Sequence, residues 1–180
     1  MRPPFLLFLV GFMGSGKSTV GPLIAKQLGW EFRDLDAMIE RRERKTVAAI
    51  FESEGEAAFR AYESAALKQC IDPASASSVV ALGGGAFSRA PNRELIAGSG
   101  ALVAWLDAPV EDLLRRCREQ QSGPIRPLLQ DESLFLRLYQ QRRPDYETAT
   151  RRFETRDLSP TQVADAVVEW INTSTRSART

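Results

Sequence analysis

The sequence contains no histidine. That excludes Ser-His and Cys-His nucleophilic catalysis and His-ligated zinc, and leaves proton transfer to a carboxylate, Lys, Tyr, Cys or water. Cysteine is scarce. Cys70 and Cys117 both fall in helical-looking segments and read as buried thiols rather than a disulfide or a metal pair. No apolar run approaches the ~20 residues of a membrane span. Met1-Arg2-Pro3-Pro4 leads into an apolar stretch, Phe5 to Val10, that is too short for a signal-peptide core. Neither sign of charge dominates: 24 basic residues face 23 acidic ones, for a net charge of +1. This gives no electrostatic case for nucleic acid or an anionic membrane as partner. The expected setting is reducing and cytoplasmic. Repeats and low-complexity linkers are missing too, and 180 residues suit one domain with a real core. That domain is expected over residues 1–172, with a frayed Ser/Thr/Arg-rich tail over 173–180.

Against these absences stands one strong pattern. Gly11-Phe12-Met13-Gly14-Ser15-Gly16-Lys17-Ser18 spells G-x-x-x-x-G-K-S, a phosphate-binding loop. A buried strand is expected just before it, over Phe5 to Val10, and a helix after it, from Thr19 to Leu28. The motif needs this strand–loop–helix context. Its glycines let successive N–H groups face a phosphate chain, and the helix N-terminus adds partial positive charge. Gly14, Ser15, Gly16, Lys17, Ser18 and Thr19 are therefore the candidate ATP-binding residues. Lys17 reaches the outer phosphates, and the Ser18 hydroxyl is a ligand for Mg²⁺.

Farther along, strand-like segments alternate with helical ones, which predicts an α/β fold on a parallel sheet. The expected strands after the first are Glu31 to Leu35, Ser78 to Leu82, Ala101 to Leu106 and Arg152 to Thr155. The expected helices are Asp36 to Arg44, Val47 to Glu52 with Thr46 as cap, Glu54 to Ile71, Pro91 to Ala97, Val110 to Arg118, Asp131 to Tyr146 interrupted by Pro144, and Pro160 to Ile171. Gln120 to Gln130, polar and carrying Gly123, Pro124 and Pro127, reads as a mobile surface loop.

Ligands of an open parallel sheet gather beyond the carboxyl ends of its strands. Asp34-Leu35-Asp36 falls there. The pair reads either as cation and substrate ligands or as a helix cap, and its place beside a phosphate loop favours the former. Gly83-Gly84-Gly85 follows a buried strand and permits close approach of a ligand to backbone. ATPases that orient the metal with an Asp at the end of that strand differ here, so Asp34 is the better metal candidate. No Asn-Lys-x-Asp guanine-reading motif is present. Arg60, with Glu63 one turn on, Arg126 and Arg142 have the chemistry to pair with carboxylate or phosphate, although a solvated arginine is the default for any single one. Arg116 and Arg156 are weaker candidates near the nucleotide.

Taken together, Gly11 to Ser18, Asp34-x-Asp36, Phe59-Arg60 with Glu63, Gly83-Gly84-Gly85-Ala86, Arg126-Pro127-Leu128-Leu129 and Arg142-Arg143-Pro144-Asp145-Tyr146 come in the order of the shikimate kinases. The resemblance runs over about residues 5 to 172 and implies a three-layer P-loop NTPase fold. It further implies five parallel strands flanked by helices, with a lid at about residues 119–130. It implies transfer of the γ-phosphate of ATP to the 3-hydroxyl of shikimate by a monomer, with Mg²⁺ as cofactor. Lys17, Asp36 and Arg126 would be catalytic, and Arg126 would also touch ATP. Asp36, Arg60, Gly83, Gly84, Gly85 and Arg142 would bind shikimate against a wall of Phe51 and Phe59. Ser18 and Asp34 would hold the metal. Two readings compete with it: another small-molecule kinase of the same fold, acting on gluconate or a nucleoside monophosphate, and a non-catalytic nucleotide-binding module.

Overall fold

The structure, a computed structural model, describes residues 5–72, 76–119 and 131–177, with side chains through 174. In chain order the elements are β1 (Leu6–Val10), α1 (Lys17–Leu28), β2 (Glu31–Asp34), α2 (Leu35–Glu43), α3 (Val47–Ser53), α4 (Gly55–Ile71), β3 (Ser78–Ala81), α5 (Ala90–Gly98), β4 (Leu102–Asp107), α6 (Val110–Glu119), α7 (Glu132–Tyr146), β5 (Arg151–Glu154) and α8 (Pro160–Ser177).

All strands pair in parallel, in the order β2-β3-β1-β4-β5. Side chains of a strand alternate between faces. In β1, Phe8 and Val10 join one buried cluster while Leu7 and Leu9 join another. β4 divides the same way, Val103 and Trp105 from Ala104 and Leu106. The second cluster is closed by α1 and α8, through Val20, Ile24, Val163, Val167 and Trp170. The first is covered by the remaining helices, with Leu35, Ile50, Phe59, Ile96, Leu113 and Phe135 pointing inward. A near-continuous apolar run is what a strand buried on both faces requires, and Leu7 to Val10 are at most 1% exposed. The three expected layers are present.

Helix starts are fixed by side chains that satisfy otherwise unpaired N–H groups. Asp34 accepts from the Ala37 N–H at 3.2 Å, Thr46 from Ala49 at 3.1 Å and Asp131 from Leu134 at 2.9 Å. The Asp34 cap ends β2 one residue before the expected Leu35. Two expectations fail more clearly. Pro144 does not interrupt α7, which is continuous to Tyr146. A proline there forfeits one helical N–H near the end, and the buried Tyr146, whose hydroxyl donates to the Gly84 carbonyl, anchors that last turn. The last helix also outruns its expected end at Ile171: α8 carries on to Ser177, and the Thr173 hydroxyl donates back to the Trp170 carbonyl at 2.8 Å. The Gln120 to Gln130 loop lies outside the described residues.

α1 sits close on the sheet because Gly21 faces Phe32. A Cβ built on Gly21 would lie 2.2 Å from Phe32 Cε2. We predict that Gly21→Ala lowers stability by about 1–3 kcal/mol, despite the helix preference of Ala, because the ring must shift. Urea unfolding checks this. Combining it with Phe32→Leu should restore most of the midpoint, and an unchanged midpoint in the single variant would contradict the packing.

Candidate active site

The phosphate loop leaves the carboxyl end of β1 and is held tightly from two sides. A Cβ on Gly11 would lie 2.4 Å from the Leu106 carbonyl oxygen, and one on Gly14 would lie 2.5 Å from that of Leu113. Both glycines have positive φ, 143° and 79°, so neither space nor backbone admits a side chain. Ser15 is 1% exposed and tucked beneath the loop, its N–H donating to the Phe12 carbonyl at 3.2 Å. Lys17 lies across the loop: its Nζ donates to the carbonyls of Gly11 and Phe12 at 2.7 and 3.1 Å and to Ser15 Oγ at 3.3 Å. Burial pushes the Lys17 ammonium down to about 8, against the pull of the Asp36 and Asp34 carboxylates.

Asp34 divides its carboxylate between two partners. One carboxylate oxygen caps α2 and the other accepts from the Ser18 hydroxyl at 3.2 Å. Ser18 and Asp34 thus present hard oxygen donors side by side, suited to a divalent cation. Among the described residues no group of three or more His, Cys, Asp or Glu side chains could hold a metal on its own. A cation here would therefore depend on the phosphates of a nucleotide as well.

Asp36, in the first turn of α2, turns toward Lys17 and the glycine run. Its Oδ1 is buried with no hydrogen-bond partner among the described residues. Burial raises its pKa and the Asp34 charge adds to that, while Lys17 opposes both. The carboxylate fits because Gly83 has no side chain: a Cβ there would lie 2.7 Å from Oδ1 and 3.0 Å from Oδ2. The next two glycines make room for guanidiniums. A Cβ on Gly84 would lie 3.4 Å from Arg142 Nη1. One on Gly85 would lie 3.3 Å from Arg60 Nη2 and 3.4 Å from Arg142 Nη2. Asp36, Arg60 and Arg142 therefore converge on one glycine turn.

Each arginine is itself oriented. Arg60 donates to Glu63 at 3.0 Å, as its spacing on α4 predicts, and to Glu56 at 3.2 Å. Glu63 is 1% exposed, and Asn92 of α5 donates to it at 3.3 Å and to the Ala86 carbonyl at 3.0 Å. The Arg142 guanidinium lies 5.7 Å from the Phe12 ring centroid, and Phe12 packs edge-on against Phe135 and Tyr139 of α7. Asn92, Phe12 and Tyr146 are supports that sequence reasoning does not single out. A buried Asn on the inward face of a short helix is the one available signal. Phe51 and Phe59 do meet, with ring centroids 4.7 Å apart, Phe59 buried and Phe51 exposed.

A cavity of about 820 Å³ is lined by Gly14, Lys17, Ser18, Asp34, Asp36 and Gly83 among others, and an adjoining space of about 510 Å³ by Arg60, Arg89 and Gly85. Arg142 borders both. Gly16, Thr19 and Gly84 also line the larger space. The phosphate loop, Arg60 and Arg142 thus share one crevice. Arg126 lies outside the described residues. Arg116 binds the hydroxyl and carbonyl of Thr155 at 3.0 and 2.9 Å. Arg156 pairs with Asp112 at 3.5 Å and borders neither space. Cys70 is buried, Cys117 is half-buried, and they form no disulfide with each other.

A five-stranded parallel sheet whose central strand feeds a phosphate loop, with acceptor-reading groups across the same crevice, defines a P-loop kinase. The model of the shikimate kinase family matches residues 13–172. A shikimate kinase of Chlorobium chlorochromatii is 41% identical over 162 residues, covering 86% of this chain and 84% of the relative. One of Nostoc punctiforme is 40% identical over 169 residues, covering 92% and 90%. Among solved structures, shikimate kinase from Acinetobacter baumannii in complex with shikimate superposes with a TM-score of 0.82 at 38% identity, over 95% of this chain and 94% of that one. A gluconokinase from Sinorhizobium meliloti, at 18% identity and a TM-score of 0.62, shares the fold. The chain belongs to the shikimate kinase family and is an ATP-dependent kinase.

The lowered Lys17 pKa has a measurable consequence. Below about 8 the ammonium is present to meet phosphate, and above it the free protein holds a neutral amine that must take up a proton on binding. We predict that ATP affinity, measured by calorimetry, falls by up to about tenfold per pH unit above that point. Lys17→Arg, charged throughout, should lack the slope. A flat wild-type profile between about pH 7 and 9.5 would contradict the assignment.

Proposed function

We propose that this enzyme transfers the γ-phosphoryl group of ATP to the 3-hydroxyl of shikimate, with the roles divided among residues as the crevice divides them. The observation that carries the reading is the buried oxygen of Asp36, unpartnered among the described residues and close to Lys17, Arg60 and Arg142. A buried acceptor atom of that kind calls for a hydroxyl donor. Two guanidiniums beyond it call for an anion, and a planar carboxylate matches their paired N–H groups. Shikimate offers both, a carboxylate and ring hydroxyls.

Phosphoryl transfer passes through a loose transition state, so positioning and charge stabilisation supply most of the rate. Lys17 and the loop N–H groups bind the outer phosphates. Asp36 accepts the proton-bearing side of the attacking hydroxyl and aims its oxygen, and its raised pKa makes it a better proton acceptor than an exposed carboxylate. Arg60, braced by Glu63, and Arg142 hold the acid end, and Phe59 supplies apolar wall. Ser18, and Asp34 through water, would hold Mg²⁺, which when bound offsets phosphate charge. The proposal places a monomer in the cytoplasm. Cytoplasm supplies ATP and keeps Cys70 and Cys117 reduced.

Purified protein with ATP, Mg²⁺ and shikimate should release ADP only when shikimate is present, and phosphorus NMR should place the phosphate on the 3-hydroxyl. ADP release independent of shikimate would count against the reading. Asp36→Asn should cut kcat by about a hundredfold or more with the KM for ATP near normal. Arg60→Ala should raise the KM for shikimate about tenfold or more. Unchanged kcat in the first variant would remove the role given to Asp36.

A further inference from the structure

One helix position round from Arg142, a second charged cluster sits against the sheet and touches neither cavity. Asp107, the last residue of β4, is 2% exposed. Its Oδ2 pairs with Arg152 Nη2 at 2.8 Å and with Arg143 Nη1 at 3.4 Å. Both guanidiniums lie over the Trp105 ring, Arg152 at 5.1 Å and Arg143 at 5.2 Å from its centroid. Arg143 also donates to the Tyr139 hydroxyl one turn earlier and pairs with Glu147 one turn later at 3.3 Å.

A carboxylate this buried must keep its cationic partners, since stripping one leaves an uncompensated charge. Arg143 is therefore held over the end of β4. Consecutive helical residues point about 100° apart, so seating Arg143 on the sheet directs Arg142 at the glycine turn. α7 is also held where Tyr139 meets Phe12, where Tyr146 reaches Gly84, and where Asp145 pairs with Arg93 at 2.9 Å. Of the two carboxylates that grip Arg143, the residue next to the clamp, Asp107 is buried and Glu147 is exposed.

We propose that Asp107 is a positioning residue for the acceptor clamp: by holding Arg143 it sets the rotation of α7 and hence the aim of Arg142. This rests on the reading of Arg142 as a shikimate ligand. The role differs from plain stabilisation, which would lower the melting temperature and leave the kinetic constants of the folded enzyme alone.

Asp107→Asn keeps the size of the side chain and the main-chain bond from Thr155 N–H to the residue 107 carbonyl, 2.8 Å in the native protein. The expected result is a rise of about five- to thirtyfold in the KM for shikimate, with kcat and the KM for ATP within about twofold. Arg143→Gln should reproduce the rise, and Arg143→Lys, which keeps a cation for Asp107, should recover most of it. In an Arg142→Ala background, Asp107→Asn should add nothing further. An equal rise with and without Arg142, or kinetic constants unmoved in both Asp107→Asn and Arg143→Gln, overturns the proposal while native turnover of shikimate leaves the underlying reading intact. Absence of native turnover sinks that reading and the proposal with it. Should Asp107→Asn fail to fold, Arg143→Gln at a half-exposed residue carries the same test.

Discussion

Everything in the crevice turns on a carboxylate pressed against a residue with no side chain. Asp36 reaches the space beyond β3 only because Gly83 leaves it open, and in that position its Oδ1 is buried and unpaired. Water would satisfy that oxygen more cheaply. Lys17 and Arg60 compensate the charge at a distance rather than by direct bonding. A direct salt bridge would occupy the oxygen that the proposed mechanism offers to the acceptor hydroxyl. The same economy holds for Lys17, which lies on loop carbonyls rather than on a carboxylate.

The glycine turn after β3 is therefore a spacer for side chains before it is a source of backbone donors. One glycine admits a carboxylate and the next two admit guanidiniums arriving from α4 and α7. Those helices are tied to the turn by Asn92, which joins Glu63 to the Ala86 carbonyl, and by Tyr146, which reaches Gly84. Phe12, a variable position in the motif pattern, couples the phosphate loop to α7. Acceptor and nucleotide halves are in this way built on shared supports, which suits a reaction whose rate depends on alignment.

How much of this could be read from residues alone follows from the range of each interaction. The phosphate loop was legible because its chemistry is local: strand, glycines, Lys17 and Ser18 are consecutive. Arg60 with Glu63 was legible from one-turn spacing. Asp34 was read as metal ligand or cap, and it turned out to divide its two oxygens between α2 and Ser18, a geometry no spacing encodes. The residues around Gly83 suggest a backbone approached by a ligand, whereas its role is steric and depends on the Asp36 side chain of α2, far away in sequence. Phe12 and Tyr146 act across long stretches of chain and carry no local mark of it, and Asn92 shows only as a polar residue on the inward face of a short helix. The end of α8 was misjudged because Ser and Thr suggest fraying, yet a hydroxyl such as that of Thr173 can bond back to its own helix.

The measurement that reaches the central claim most directly is single-turnover kinetics of Gly83→Ala. The added methyl must displace the Asp36 carboxylate, whose atoms are its three nearest neighbours. The account predicts a phosphoryl-transfer step slowed about a hundredfold, with ATP affinity intact. Transfer at the native rate, with the variant folded, would show that the position of Asp36 against the glycine turn does not govern the reaction.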